Sequence, residues 1–208
     1  MAAVEAPKTS RKGEPAWEIA RLFPEQGEWS EEEYITLTNR TNHLVELSNG
    51  FIEVLSMPTR RHQMIVLFLY RLLYQFVMEQ ETGTVLVSPL RVRLWHNKFR
   101  EPDIVVMLAE HRDREGEQYF EGADLVVEVV SEDDPQRDLV TKRDEYAQAA
   151  IPEYWIVEPK TETITVLRLE DGRYVEHGVF KRGAVATSAL LAGFEVAVDA
   201  VFASGAAH

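Results

Sequence analysis

The sequence predicts a mixed β-sheet covered by helices, of α/β or α+β class. Three observations predict it. Short aliphatic and β-branched runs recur along the chain, turn signals separate them into strand-length pieces, and one unbroken segment carries apolar residues at helical spacing. Continuous apolar strands have two faces to bury, and helices supply the cover.

Residues 1–28 mix Ala, Pro, Lys, Gly and Glu, with one short helical pattern around AWEIARLF, and read as a tail or packing arm ahead of a domain over 29–208. Ser30 with Glu33 three positions on is a capping box, which predicts a short helix through about Thr38. LVELSNGFIEVL, residues 44–55, predicts two strands about the hairpin turn Asn49-Gly50, with Glu46 on the first. Residues 61–80 contain no breaker and predict a long helix buried over much of its circumference. VLVSPLRVRLW, 85–95, predicts a strand with Arg91 and Arg93 on one side. Strands around 103–108 and 124–130 flank the polar loop EHRDREGEQYFEG. DLVTKRDEYAQAA, 138–150, predicts a helix stopped by Ile151-Pro152, and the strands EYWIVE, TITVLRL and RYVEHGVF follow.

A chain of 208 residues, 45% hydrophobic and 27% charged, suits one domain with a well-buried core. There is no cysteine, which excludes disulfides, thiolate zinc sites and cysteine nucleophiles and fits a reducing cytoplasm. MAAVEAPKTSRKGEP lacks the apolar core of a signal peptide, and the longest apolar run, MIVLFLY, is too short to span a bilayer. A cytoplasmic protein with no membrane partner is expected. The net charge of -13 weighs against a phosphate-rich partner, but residues 60–100 hold seven basic side chains against two acidic ones. That stretch is either a binding face or a solvated helix end and strand.

Glu128 stands inside LVVEVV, residues 125–130, where every neighbour is aliphatic, and Asp103 opens the similar run EPDIVVM. An unpaired carboxylate in a buried strand costs several kcal/mol or holds its proton, so it calls for a metal or a cationic side chain. Alternation puts Val126, Glu128 and Val130 on one strand face. On the helix that follows, Leu139, Lys142 and Tyr146 form one stripe, and Lys142 turns inward with it. Lys142 then either snorkels or meets an acid. Two carboxylates on neighbouring strands and one inward ammonium supply what metal-assisted phosphodiester hydrolysis requires: hard oxygen ligands and a positive group beside the attacking water. A purely structural ion pair between Glu128 and Lys142 satisfies the same residues. Glu46 shares a strand face with Leu44 and Ser48 and is either a site residue or solvent-facing. Tyr146, Tyr154 and Trp155 read as core aromatics. His62, after Arg60 and Arg61 at a helix start, reads as a phosphate contact or a solvated or capping histidine. The phosphate-loop, dinucleotide, nucleophile-elbow and zincin motifs do not occur.

The string EPD, LVVEVVS, K-x-x-x-Y and IPEYWIV, with VELSNGFIEV upstream and His62 opening the long helix, resembles the Uma-two family of restriction endonucleases, a branch of the PD-(D/E)xK nuclease superfamily. The likeness runs from about Trp29 to Phe202. It implies a restriction-endonuclease-like mixed sheet flanked by helices and a Mg2+- or Mn2+-dependent cleavage of DNA. It carries the metal ligands onto Asp103, Glu128 and the backbone carbonyl of Val129, with Glu46 as an additional metal or water ligand. The superfamily lysine, two residues after the Glu, is Val130 here, so the resemblance implies Lys142 as a migrated replacement that orients the attacking water. A homodimer suits an enzyme that cuts both strands. The net charge and Val130 keep open a second reading, a decayed nuclease-like fold that binds nucleic acid or a protein without cutting.

Overall fold

A computed structural model describes residues 23–41, 43–131 and 134–206. The helical pattern at AWEIARLF falls almost wholly outside the described residues, and so does most of the arm expected over 1–28. Among the described residues no helix is long and apolar enough to cross a membrane.

Two sheets form the body. The larger has six strands, β3 (Gly83–Val87), β6 (Ile104–Leu108), β8 (Leu125–Val129), β9 (Glu153–Glu158), β10 (Thr163–Glu170) and β11 (Arg173–Lys181), in the order β11-β10-β9-β8-β6-β3. All its pairings are antiparallel except β8 with β9, so the sheet is mixed as expected. The smaller has the order β2-β1-β5-β4-β7, from β1 (Val45–Ser48), β2 (Phe51–Val54), β4 (Val92–Trp95), β5 (Lys98–Arg100) and β7 (Phe120–Glu121). A third pairing joins β12 (Val185–Thr187) and β13 (Glu195–Ala197).

Helix α1, Glu31–Thr38, starts at the predicted capping box: Ser30 Oγ accepts the Glu33 N–H, and the Glu33 carboxylate accepts the Ser30 N–H at 3.0 Å. The hairpin turns where predicted, with Asn49 at φ 51° and Gly50 at φ 81°, the left-handed conformations a two-residue turn of this hand requires. The long helix α2, Arg60–Glu79, buries Ile65, Val66, Leu69, Leu73 and Val77 in one stripe against the large sheet. Its cover is narrower than expected: Leu67, Tyr74 and Met78 lie exposed. Helix α3, Lys142–Gln148, is shorter than predicted because its first turn, Arg137–Thr141, is wound wide as a π-turn. Helix α4, Val198–Ser204, closes the chain and adds Val198, Val201 and Phe202 to the core under α2.

The segment 85–95 is two strands and not one. It breaks at a cis Ser88-Pro89 bond, after which β4 leaves the large sheet that holds β3 and joins the small one. The chain passes from one sheet to the other at the residues that look most continuous in sequence.

Strand alternation divides the interior. Leu125, Val127 and Val129 face α2 and α4, whereas Val126 and Val130 face a second core with Tyr146, Tyr154 and Ile156 beneath α3. A third core, Trp29, Tyr34, Val45, Leu47 and Phe99, fills the space between α1 and the small sheet.

The tip of the first hairpin should be the least forgiving turn. A Cβ on Gly50 would lie 2.4 Å from the Gly27 carbonyl oxygen, and the residue is held at positive φ. Gly50→Ala is expected to cost about 2 kcal/mol or more in urea unfolding, and an unchanged midpoint would contradict this account.

Candidate active site

The register of β6 on β8 sets Ile104 opposite Val127 and so brings Asp103, one residue earlier, beside Glu128. Asp103 Oδ2 accepts the Val129 N–H at 2.7 Å, which fixes that carboxylate across the two strands. Glu128 is 3% exposed and projects from the strand face that alternation predicts, toward α3. Lys142 Nζ lies 2.8 Å from Glu128 Oε1 and 3.1 Å from Asp138 Oδ1, and the Tyr146 hydroxyl donates to Glu128 Oε1 at 2.5 Å. The predicted stripe is thus real, and Lys142 meets acids at its inner end instead of snorkelling.

The electrostatics follow from this crowding. Burial is the largest influence on Glu128 and lifts its carboxyl above the ordinary range; Asp138 and Asp103 push the same way, and Lys142 opposes them. Burial works against the Lys142 ammonium, but Glu128, Asp138 and Glu46 outweigh it and keep the group charged. Three acids surround one ammonium. The site is short of positive charge.

Glu46 is fully buried and not solvent-facing. Its Oε2 accepts from Arg100 at 2.5 Å and from Arg137, and its Oε1 accepts the Glu101 N–H at 2.9 Å. Burial raises its pKa, yet Lys142, Arg100 and Arg137 together hold the carboxyl down at about 2. Both oxygens are committed, so the structure gives Glu46 partners other than the expected metal or water. Arg100 also forks onto Glu145 of α3 at 2.7 and 2.9 Å and reaches Glu53 of β2 at 2.6 Å, and Lys98 pairs with Glu145 as well. Three cations and three acids close a buried network between the small sheet and the helix that carries Lys142.

This network overturns the expectation of a basic face over 60–100. Lys98 and Arg100 are each 2% exposed and neutralised inside the protein. Arg93 pairs with Glu31 and Glu121, and Arg91 binds Asn39. The roles of Arg100, Glu53, Glu145 and Arg137 escape a reading of the sequence, because the acids lie 45 to 54 positions from Arg100 and no local pattern marks them. His62 was open to several readings. Its Nε2 lies 3.2 Å from Asp103 Oδ2; burial lowers the pKa of the ring, and Asp103 and Glu128 more than restore it.

A mixed sheet with helices on both faces, bearing an Asp and a Glu side by side on adjacent strands, defines the restriction-endonuclease-like class. Within it, the family model described as a putative restriction endonuclease, Uma2, matches residues 31–199, and the chain belongs to that family. The crystal structure of a putative nuclease from Anabaena variabilis has the same fold, with a TM-score of 0.71 at 19% identity over 86% of this chain and 99% of that one. No curated protein matches the chain.

Two outcomes follow from the buried charges. Lys142→Met leaves Glu128 and Asp138 without their cation. It should cost about 3 to 5 kcal/mol at pH 9 and clearly less at pH 5, where the acids can neutralise, as read by urea unfolding at both pH values. Glu101 is 6% exposed, and its Oε2 is buried without a partner among the described residues. Burial, and then the charge of Glu46, raise it from 4.5 to about 7. A raised carboxyl stabilises the fold below its unfolded value and loses that contribution as pH climbs through the folded one. Wild-type stability relative to Glu101→Gln should therefore fall by on the order of 3 kcal/mol between pH 4 and pH 8, and a flat difference would refute the assignment.

Proposed function

We propose that the protein is a divalent-metal-dependent endonuclease acting on DNA, with Asp103, Glu128 and the Val129 backbone carbonyl holding Mg2+ or Mn2+ and Lys142 orienting the attacking water. The observation that carries this reading is the placement of Asp103 beside Glu128 with an inward ammonium 2.8 Å from the glutamate.

The donor set suits a hard cation. Among the described residues no three acidic or imidazole side chains form a ready-made cage. Mg2+ does not need one: it is commonly held by one or two carboxylates, with waters and substrate phosphate completing the shell. The contacts to Asp103 fall on Oδ2 and those to Glu128 on Oε1, so each acid has a second oxygen outside them. The surplus of acid over ammonium is the electrostatic vacancy that a dication relieves. Such an ion supplies a water of lowered pKa and charge stabilisation at phosphorus.

The chain's own groups do the rest. The Val129 N–H aims Asp103, and the Tyr146 hydroxyl aims Glu128. Lys142, locked between Glu128 and Asp138, can donate to a water while its charge steadies a developing phosphorane. We assign Glu46 to positioning: it anchors Arg100 and Arg137, which set α3 and its entering turn. Cleavage of both strands of a duplex needs two such sites, which a homodimer provides.

One observation favours a second reading, a binding module that does not cut. Lys142 and Tyr146 already satisfy Glu128 Oε1 from within the protein. Plasmid nicking with Mg2+ or Mn2+ separates the two. Wild type is expected to nick, and Asp103→Asn and Glu128→Gln should each lose at least about a hundredfold. Failure of wild type on DNA with either ion would leave the binding reading standing.

A further inference from the structure

His62 occupies the first turn of α2, where the Thr59 hydroxyl accepts its backbone N–H at 3.2 Å and so fixes the root of the side chain. The ring turns away from the helix to Asp103, and its Nδ1 is buried with no partner among the described residues. A histidine that serves the fold is usually tied by its ring. His111 is such a case: its Nδ1 is 2.7 Å from Asp124 Oδ1, and Asp124 is 1% exposed and also accepts the Leu108 N–H. His62 differs in each respect. Its contact is longer, and its partner is a candidate ligand. Both side chains also remain open to solvent, 15% for His62 and 16% for Asp103.

The length of that contact is informative. Two donors about 2.1 Å from one ion and at right angles to each other stand about 3.0 Å apart. The 3.2 Å between His62 Nε2 and Asp103 Oδ2 is close to that spacing. We propose that His62 Nε2 is a further protein ligand of the cation held at Asp103, and that this nitrogen biases the site toward Mn2+ over Mg2+. The inference rests on the metal-dependent reading above. Imidazole binds first-row transition ions readily, whereas Mg2+ prefers an all-oxygen shell, so a nitrogen donor changes which ion the site keeps.

The test uses the full chain, with its histidines labelled with 15N, and Mn2+ as the probe. Electron spin-echo spectroscopy of bound Mn2+ is expected to show coupling to a directly bonded 15N nucleus, and His62→Gln should abolish it. Calorimetry should show the same variant losing about tenfold or more in Mn2+ affinity and less in Mg2+ affinity. The spin-echo measurement on wild type stands even if the variant folds poorly. Mn2+ bound without nitrogen coupling, coupling that survives in His62→Gln, or equal losses for the two ions would overturn the assignment and leave the metal-dependent reading intact. No binding of either ion by wild type would sink both.

Discussion

The ammonium of Lys142 sits inside the protein, and much of the architecture around it follows from keeping it charged there. Withdrawing such a group from water costs several kcal/mol, which nearby anions must return. Glu128 and Asp138 provide them, one from the central sheet and one from the helix's own wide first turn. The pairing works only if α3 stands at one height and one rotation over β8. Arg100 grips Glu145, three residues beyond Lys142, with two parallel hydrogen bonds, a geometry that resists both sliding and turning.

That grip explains why a fold with a complete six-stranded sheet keeps a second, smaller one. Strand β5 is only three residues long, yet it delivers Lys98 and Arg100 to the buried network, while β1 and β2 deliver Glu46 and Glu53. The small sheet is in effect a bracket for α3. The large sheet carries the acids, α2 closes one of its faces and α3 the other, and the candidate site lies where Asp103 enters β6 beside Glu128 of β8.

Much of this is legible in the residues themselves. The capping box at Ser30, the Asn49-Gly50 turn and the strands from 103 onward are local patterns, and local rules read them. Glu128 is legible as an anomaly, and alternation gives the face it uses. Glu153 shows the limit of that logic. It too is a fully buried acid, but it is satisfied by the Trp155 indole, the Ser188 hydroxyl and two backbone N–H groups, with no cation at all. The passage of β3 and β4 into different sheets, the wide turn before α3 and the Arg100 network depend on partners far away in the chain, and periodicity carries no trace of them. The basic stretch over 60–100 misleads for the same reason, since charge counted along a sequence says nothing about which charges are spent internally.

Val130 bears on how such sites vary. It shares a strand face with Glu128, and its side chain packs in the aromatic core with Tyr146, Tyr154 and Ile156. A long cation at that position would have to thread through packed rings, whereas α3 passes directly above the glutamate and offers a shorter route. What this fold conserves is therefore a point in space that must hold positive charge, and the chain can fill it from whichever backbone segment has clear access. Two proteins with equivalent chemistry here could look unrelated in a motif search, and a restored motif at Val130 would be a mutation of the core, not a repair of the site.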